Sequence, residues 1–235
     1  MTTPPPAENE SSTVTPMEPR SDRVRLRRKR ERGSYDRATI DAIIDESLIA
    51  HLAIVAEDGQ PLAVPTLHAR LGDTIYCHGS VASRTLRALA TGAPACLTVS
   101  LLDGLVLARA AMHHSANYRS AMVLGQMRLV EEPLEKMTAL EAVVEHIVPG
   151  RWADVRHPSE NELKATSVLA MNIVEASAKV RTGGPLDDEE DYARDTWAGV
   201  IPLAMKQSRP LADERLPAGT QPPRYASAYT RPGAP

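Results

Sequence analysis

The sequence contains no phenylalanine, and aromatic residues make up only 3% of its 235 positions. A hydrophobic core must therefore be built from leucine, valine, isoleucine, alanine and methionine. Hydrophobic residues still account for 43% of the chain. This fraction is typical of a globular protein, and the length suits one domain with a full core and additional tails.

Cysteine and long apolar runs are also scarce. The two cysteines, Cys77 and Cys96, lie in apparent strands and do not form a zinc-binding pattern. A reduced protein is the simplest interpretation, although two strands could bring the thiols together as a disulfide. No apolar run reaches the length of a membrane span, and the polar, proline-rich start lacks the apolar core of a signal peptide. We therefore expect a cytoplasmic protein that does not enter the membrane.

The net charge of −3 gives the chain no general attraction for nucleic acid. One segment differs, because basic residues dominate the stretch from Arg23 to Arg32. A solvated tail is favoured there, since no aromatic residues alternate with the basic ones, and a nucleic-acid-binding arm is the alternative. We expect residues 1–33 to form a disordered basic tail, 34–205 the folded domain and 206–235 a disordered carboxy-terminal tail.

Short strands separated by glycine turns, with helices between them, predict an α+β fold built on an antiparallel barrel. Asp36 is a predicted N-cap, and Pro133 is expected at the first position of a longer helix. A turn is expected at Asp103-Gly104 and a β-bulge at Gly125. Helices are predicted over about 36–47, 83–90, 133–147 and 160–165.

The stretch from Ile75 to Arg87 predicts an anion site. A strand that breaks at Gly79 and feeds a helix leaves free backbone N–H groups at the positive end of the helix dipole. Ser80 and Ser83 add hydroxyl donors, and Arg84 adds a guanidinium that fits a phosphate. These groups favour the binding of a phosphate, although the sequence has no Walker loop. They are equally compatible with ordinary helix capping and a surface arginine.

The order of these segments resembles the pyridoxamine 5′-phosphate oxidase-like, FMN-binding split-barrel family. It is most similar to the branch that contains the 5-nitroimidazole-resistance reductases and flavin-nucleotide-binding proteins. The resemblance covers roughly residues 34–205. It is carried by the hairpin at 51–66, the segments 76–84 and 117–133, the closing strand at 179–183 and the Trp197-Ala-Gly-Val-Ile-Pro-Leu203 segment.

This resemblance implies a homodimer with FMN in a groove at each subunit boundary. It implies that Pro65 and Thr66 lie beside the flavin ring through main-chain groups. The other cofactor-binding residues that it implies are His78, Gly79, Ser80, Ser83, Arg84, Tyr118, Arg119, Ser120, Lys179, Arg181 and Trp197. On a strand, Tyr118 and Ser120 share one face and Arg119 takes the other.

The function that the resemblance implies is an FMN-dependent oxidoreductase that uses a reduced nicotinamide to reduce a small acceptor, such as a nitro-aromatic compound. His78 is the implied catalytic residue, because a histidine at the matching position has that role in the nitroimidazole-reductase branch. The alternative is a flavin- or haem-binding carrier or sensor without turnover. His113 or His114 would then be the haem ligand. As neighbours in an extended segment they face opposite sides, and we assign no metal-ion site.

Overall fold

The structure, a computed structural model, describes residues 18–231. The remainder of the predicted amino-terminal tail (1–17) and of the predicted carboxy-terminal tail (232–235) lies outside these residues. The strands are β1 (Gly33–Ser34), β2 (Ala50–Val55), β3 (Pro61–Thr66), β4 (His68–Leu71), β5 (Thr74–Ser80), β6 (Pro94–Leu107), β7 (Ser115–Gln126), β8 (Arg128–Leu129), β9 (Thr166–Asn172), β10 (Glu175–Arg181) and β11 (Gly199–Pro202). The α-helices are α1 (Arg37–Glu46), α2 (Arg84–Ala90), α3 (Pro133–Ile147), α4 (Glu160–Ala165) and α5 (Arg224–Ser227).

The strands form two antiparallel sheets that share one core. The large sheet has the order β1-β10-β7-β6-β2-β3, and β11 pairs with the second half of β6. The small sheet has the order β4-β5-β9-β8. The chain passes from the large sheet to the small one at Leu67, between β3 and β4, and again at Met127, between β7 and β8. At each crossing a single residue separates the two strands. This arrangement is a split barrel, as the family resemblance implies.

Strand periodicity divides the large sheet into an inner and an outer face. Leu52, Leu97 and Val123 lie opposite one another on β2, β6 and β7, and all three are buried. The adjacent positions Thr98 and Met122 point to the other side of the sheet and are partly exposed. The inner face therefore builds the core, and the outer face is available for a ligand or a partner.

The core contains no phenylalanine and is filled by aliphatic side chains, as the composition requires. Helix α1 covers the inner side of the large sheet, and its Ile40, Ile43 and Ile44 are at most 2% exposed. The small sheet contributes Ile75 and Cys77 to the same cluster. A second, smaller cluster lies on the opposite side of the small sheet, beneath α3.

Local capping explains where the helices begin. The Asp36 carboxylate accepts a hydrogen bond from the Thr39 N–H at 2.8 Å, and Pro133 occupies the first turn of α3. Ser159 and Glu162 form a capping box at the start of α4. The four helices predicted from sequence are therefore confirmed, with small differences at their ends.

Two predicted irregularities are wrong. Strand β6 continues through Asp103-Gly104 without a turn, and the register shift of the β6–β7 pair falls at that point. Gly125, the expected bulge, pairs regularly with Ala95. The strand continues past Asp103 because the Leu203 N–H donates to the Asp103 carbonyl at 3.0 Å and β11 extends the sheet there.

Order begins earlier than Tyr35, where the sequence predicts it. Val24 is only 1% exposed, and the Leu26 N–H donates to the Tyr35 hydroxyl at 2.7 Å. Ser34 pairs with Ala178 of β10. The end of the basic arm therefore lies along the edge of the large sheet.

The carboxy-terminal residues also return to the domain. The Tyr225 hydroxyl donates to the Asp154 carboxylate at 2.7 Å, and the Arg231 Nε donates to the Glu46 carbonyl at 2.8 Å. Most side chains between 206 and 231 are nevertheless exposed. The division into one domain and two tails stays a prediction.

Among the helices of residues 18–231, none combines the length and apolar character that crossing a membrane requires.

Candidate functional site

The turn between β5 and α2 brings three predicted phosphate-binding residues together. Ser83 is the N-cap of α2, and its hydroxyl oxygen accepts from the Leu86 N–H at 3.3 Å. The Ser80 hydroxyl oxygen accepts from the Ala82 N–H at 3.1 Å. Arg84 is exposed and forms no ion pair with a carboxylate of residues 18–231. Both hydroxyl protons and the guanidinium therefore remain free to donate to an anion.

Gly79 and His78 point to opposite sides of the small sheet. A Cβ on Gly79 would lie 2.7 Å from the Leu86 Cδ1, so this glycine allows α2 to pack closely. His78 shares its face with Tyr76, on the side that α3 covers. Its Nδ1 is buried without a hydrogen-bond partner in the described part of the chain. Burial lowers the pKa of His78 below its usual value, which favours a neutral imidazole near pH 7.

A second group of predicted residues lies on the outer face of the large sheet. Ser120 of β7 is directly opposite Lys179 of β10, and Tyr118 is directly opposite Arg181. Alternation along each strand places all four side chains on the same side. The Ser120 hydroxyl donates to the Lys179 carbonyl at 3.3 Å. This outer face combines an aromatic ring, a hydroxyl and two cations.

Arg181 is a buried cation without a carboxylate partner among residues 18–231. Its guanidinium donates to the Asn117 side-chain oxygen, to the Gly183 carbonyl at 3.2 Å and to the Gly184 carbonyl at 2.9 Å. The Nε is buried and has no hydrogen-bond partner in the part of the chain that the structure describes. Burial, and then the positive charge of Arg32, lower the pKa of Arg181 below its usual value. An anion bound beside Arg181 would compensate this buried charge.

Arg119 does not share this outer face. Its guanidinium points inward, donating through Nε to Asp103 at 2.9 Å and through Nη2 to Glu46 at 2.9 Å. The hydrogen bonds to Asp103 and then to Glu46 raise the pKa of Arg119 above its usual value. Through these hydrogen bonds Arg119 links β7 to β6 and to α1 on the inner face of the large sheet.

Pro65 and Thr66 end β3, immediately before the chain crosses to the small sheet. Pro65 is exposed on the outer face, opposite His51. Thr66 is opposite the buried Ala50, so it faces inward, and its hydroxyl donates to the Leu67 carbonyl at 3.1 Å. Pro65 therefore faces the same side of the large sheet as Tyr118 and Ser120, although β2 and β6 lie between them, and Thr66 faces the other side.

Trp197 is 66% exposed and lies just before β11. A Cβ on Gly199 would lie 2.9 Å from the indole, so the ring folds back along its own segment. Leu102 and Ile201 on the neighbouring outer face are also more than 40% exposed. These residues give the outer face an apolar border.

The structure thus brings together Ser80, Ser83 and Arg84 at the β5–α2 turn, and Tyr118, Ser120, Lys179 and Arg181 on the outer face of the large sheet. His78, Thr66 and Arg119 belong to neither group. A separate open cleft of about 830 Å³ contains none of them. It lies where the two sheets separate, at the opposite end of α2 from Ser83. Its lining includes Thr91, Gln126, Arg128, Glu131, Asn172 and Glu175. The sequence could not predict this cleft, because it depends on the crossing at Met127.

The loop after β6 presents a histidine in a suitable state for binding iron. The His114 Nδ1 lies 3.1 Å from the Ala110 carbonyl, and the side chain is exposed. A hydrogen bond from Nδ1–H to a carbonyl leaves Nε2 as the free acceptor, which is the usual arrangement of a metal-binding histidine.

The family model described as pyridoxamine 5′-phosphate oxidase matches residues 36–180. This match spans more than half of the chain, so the chain belongs to the pyridoxamine 5′-phosphate oxidase family.

Two solved structures are similar over nearly their whole length. The flavocytochrome Anf3 from Azotobacter vinelandii is 41% identical, with a TM-score of 0.85, over 91% of this chain and 99% of that one. The FAD and haem binding protein from Mycobacterium smegmatis is 37% identical, with a TM-score of 0.81, over 86% of this chain and 98% of that one.

A 5-nitroimidazole antibiotic resistance protein from Bacteroides thetaiotaomicron is 24% identical, with a TM-score of 0.54, over 63% of this chain and 86% of that one. At this identity the likeness concerns the fold alone. No curated protein sequence matches the chain significantly.

Proposed function

We propose that this protein binds a flavin and a haem and transfers electrons between them, as a flavocytochrome. The observation that carries the proposal is the 41% identity to the Azotobacter vinelandii flavocytochrome across 91% of the chain. A second relative, which binds FAD and haem, is 37% identical. When bound, such a flavin accepts two electrons from a donor and releases them one at a time.

The outer-face group of the large sheet and the β5–α2 turn fit a flavin. Arg181 supplies a buried positive charge and an Nε that no described residue uses, and both suit an anionic group of the cofactor. Tyr118 supplies a ring that can contact a planar cofactor. Ser80, Ser83 and Arg84 supply donors for a phosphate at the turn.

A homodimer would unite these two groups, since they lie on different sheets of one subunit. The exposed apolar residues Leu102, Leu105, Ile201 and Trp197 border the outer-face group. Burying such side chains against a second subunit is favourable by about 25 cal/mol for each Å² removed from water. We therefore propose that each flavin site is shared between two copies of this chain.

His114 is the residue that we propose would bind the haem iron. Its Nδ1 is fixed by the Ala110 carbonyl, and its Nε2 is free. His68 is buried and His146 is partly buried, and each uses its Nε2 on a carbonyl at the end of α1, whereas the exposed His114 uses its Nδ1. His114 is therefore better disposed to bind iron than either of these two histidines.

The proposed flavin is FAD, because the 37%-identical relative binds FAD. FMN, which the family resemblance implies, is the alternative. The proposed electron donor is a reduced nicotinamide. The acceptor is a small molecule, and a nitro-aromatic compound is one candidate. A carrier or sensor that binds both cofactors without turnover is the second candidate function, favoured by the same two relatives.

Anaerobic reduction of the purified holoprotein tests the proposal. We expect a reduced nicotinamide to bleach the flavin absorption and then to shift the haem Soret band, and air to restore both. Repeated cycles with an added acceptor would identify an oxidoreductase, and a single reduction without turnover would identify a carrier. A spectrum that does not change with any reduced nicotinamide would contradict this choice of donor.

A variant at His114 tests the haem ligand separately. We expect His114→Ala to lose the Soret band and to keep the flavin. His157→Ala is the matched control, because His157 lies in another segment of the chain, where its ring stacks on Trp152. A Soret band that persists in His114→Ala would overturn the assignment of this ligand.

A further inference from the structure

A buried aspartate joins two segments that are far apart in the sequence. The side chain of Asp187 is fully buried. It accepts hydrogen bonds from the Arg109 N–H at 3.0 Å, the Ala110 N–H at 3.3 Å and the Arg109 guanidinium at 3.2 Å. The ring of Tyr192 lies 4.9 Å from the Arg109 guanidinium carbon. The segment after β10 is therefore fixed against the loop that follows β6.

His113 lies between the acidic residues of this junction. Its Nδ1 is 3.6 Å from an Asp187 carboxylate oxygen, and its Nε2 is 3.8 Å from an Asp188 carboxylate oxygen. Both distances exceed that of a hydrogen bond. The Nδ1 is also buried without a partner in the described chain. The imidazole is therefore positioned toward two carboxylates without being satisfied by either.

His113, Asp188 and Asp191 each direct one ligand atom into a common space, and these atoms lie within 4.8 Å of one another. Ligand atoms that surround an ion at about 2 Å are separated by about 3–4 Å, so small side-chain rotations complete such a site. One Asp191 oxygen accepts from the Arg194 Nε at 2.7 Å, and its other oxygen remains available.

We propose that His113, Asp188 and Asp191 bind a divalent transition metal ion of the zinc class. Nitrogen and carboxylate oxygen are suitable ligands for zinc, and the exposed Asp188 provides an entry path. Asp187 is the positioning residue, because a histidine that binds a metal through Nε2 normally donates its Nδ1–H to a carboxylate or carbonyl. The sequence alone does not reveal this site, since the histidine and the aspartates lie in distant segments.

The proposed ion would fasten the segment from Asp188 to Asp191 onto the β6–β7 loop, next to His114. The inference does not depend on the proposed cofactors. A protein without flavin or haem would still bind zinc here, and a flavocytochrome without this site would still contain both cofactors.

Zinc binding to the full-length protein tests the proposal. We expect calorimetry with Zn²⁺, and elemental analysis after gel filtration, to give one ion per chain. His113→Ala and Asp188→Asn should each weaken Zn²⁺ binding strongly, and Asp187→Asn should weaken it by about 10–100-fold. Glu190→Gln is the matched control, because this exposed acidic residue lies in the same segment outside the cluster.

Limited proteolysis gives a second readout, because it reports how Zn²⁺ changes the segment itself. We expect Zn²⁺ to slow cleavage after Arg194 in the wild type and in Glu190→Gln, but not in Asp188→Asn. The proposal is overturned if the wild type binds no stoichiometric Zn²⁺, or if Glu190→Gln loses binding as Asp188→Asn does. It is also overturned if His113→Ala, and not His114→Ala, removes the Soret band, because His113 would then be the haem ligand.

Discussion

The guanidinium of Arg119 is paired with the buried carboxylate of Glu46, so β7 is joined to the end of α1 through the core. The Glu46 side chain is only 7% exposed, and Asp103 completes the pair from β6. The resemblance implies that Arg119 binds the cofactor. In the structure its two carboxylate partners give it a structural role on the inner face.

Arg119→Met should destabilise the fold and spare the cofactor. The change leaves Glu46 buried without a counter-ion, which costs about 3 kcal/mol in the free energy of unfolding. Urea denaturation of the holoprotein measures this loss, and Glu46→Gln with Arg119→Met should recover part of it. A variant that keeps its stability but loses flavin would indicate that Arg119 binds the cofactor directly.

Arg84 and Arg87 provide a matched pair on α2. Both are exposed, but only Arg84 lies beside the serines of the β5–α2 turn. One hydrogen bond to a charged group contributes about 1.5–3 kcal/mol, so Arg84→Ala should weaken flavin binding by about tenfold or more. Flavin fluorescence titration of the apoprotein measures this change. Equal effects of Arg84→Ala and Arg87→Ala would argue against a phosphate at this turn.

Gly79 is required for packing, whatever its role at the cofactor. Gly79→Ala places a Cβ 2.7 Å from the Leu86 Cδ1, which should cost about 1–3 kcal/mol of stability. Leu86→Val shortens the opposing side chain and should recover part of that cost in the double variant. Thermal unfolding of the wild type, the two single variants and the double variant gives a double-mutant cycle for this contact. Additive losses in the double variant would show that this contact does not explain the glycine.

His68 should make the protein less stable in mild acid. Burial, aided by the nearby His146, lowers the pKa of His68 from 6.5 to about 4, so the folded state holds a neutral ring. The unfolded state binds a proton below about pH 6.5 and the folded state does not. Stability is therefore lost as the pH falls from 6.5 to 4, by up to about 3 kcal/mol, and this contribution becomes constant below pH 4.

Urea denaturation at several pH values measures this dependence. His68→Gln keeps an amide donor for the Ile44 carbonyl, which the His68 Nε2 contacts at 3.1 Å, but has no group that titrates. The free energy of unfolding of the wild type should therefore fall toward that of this variant as the pH falls. A difference that stays constant between pH 7 and pH 4 would show that His68 titrates normally in the folded protein.

Local signals in the sequence predict most of the elements, because they depend on neighbouring residues. The Asp36 cap and the proline at 133 are examples, and alternation correctly separates Arg119 from Tyr118 and Ser120. The continuous strand through Asp103 is not predicted, because it depends on β11, which is nearly a hundred residues away in the chain. Two hydrogen-bond partners are not predicted for the same reason: Glu46, which pairs with Arg119, and Asn117, which accepts from Arg181, come from distant segments.

The candidate site depends more strongly on tertiary structure than the secondary-structure elements do. Motifs at single strands identify Tyr118, Ser120, Lys179 and Arg181, and the register of β7 and β10 brings these four together. The motifs do not reveal that the β5–α2 turn belongs to another sheet. The proximity of His113 to Asp187 and Asp188 cannot be predicted from local sequence patterns either, since only tertiary packing creates it.

The most direct test of the central claim is the visible spectrum of the protein as purified, with the mass of the small molecules that it releases. We predict a flavin spectrum, a Soret band and the mass of FAD. A mass of FMN with the same spectrum would retain the flavin and change its identity. A folded, colourless protein that binds neither added flavin nor added haemin would contradict the account.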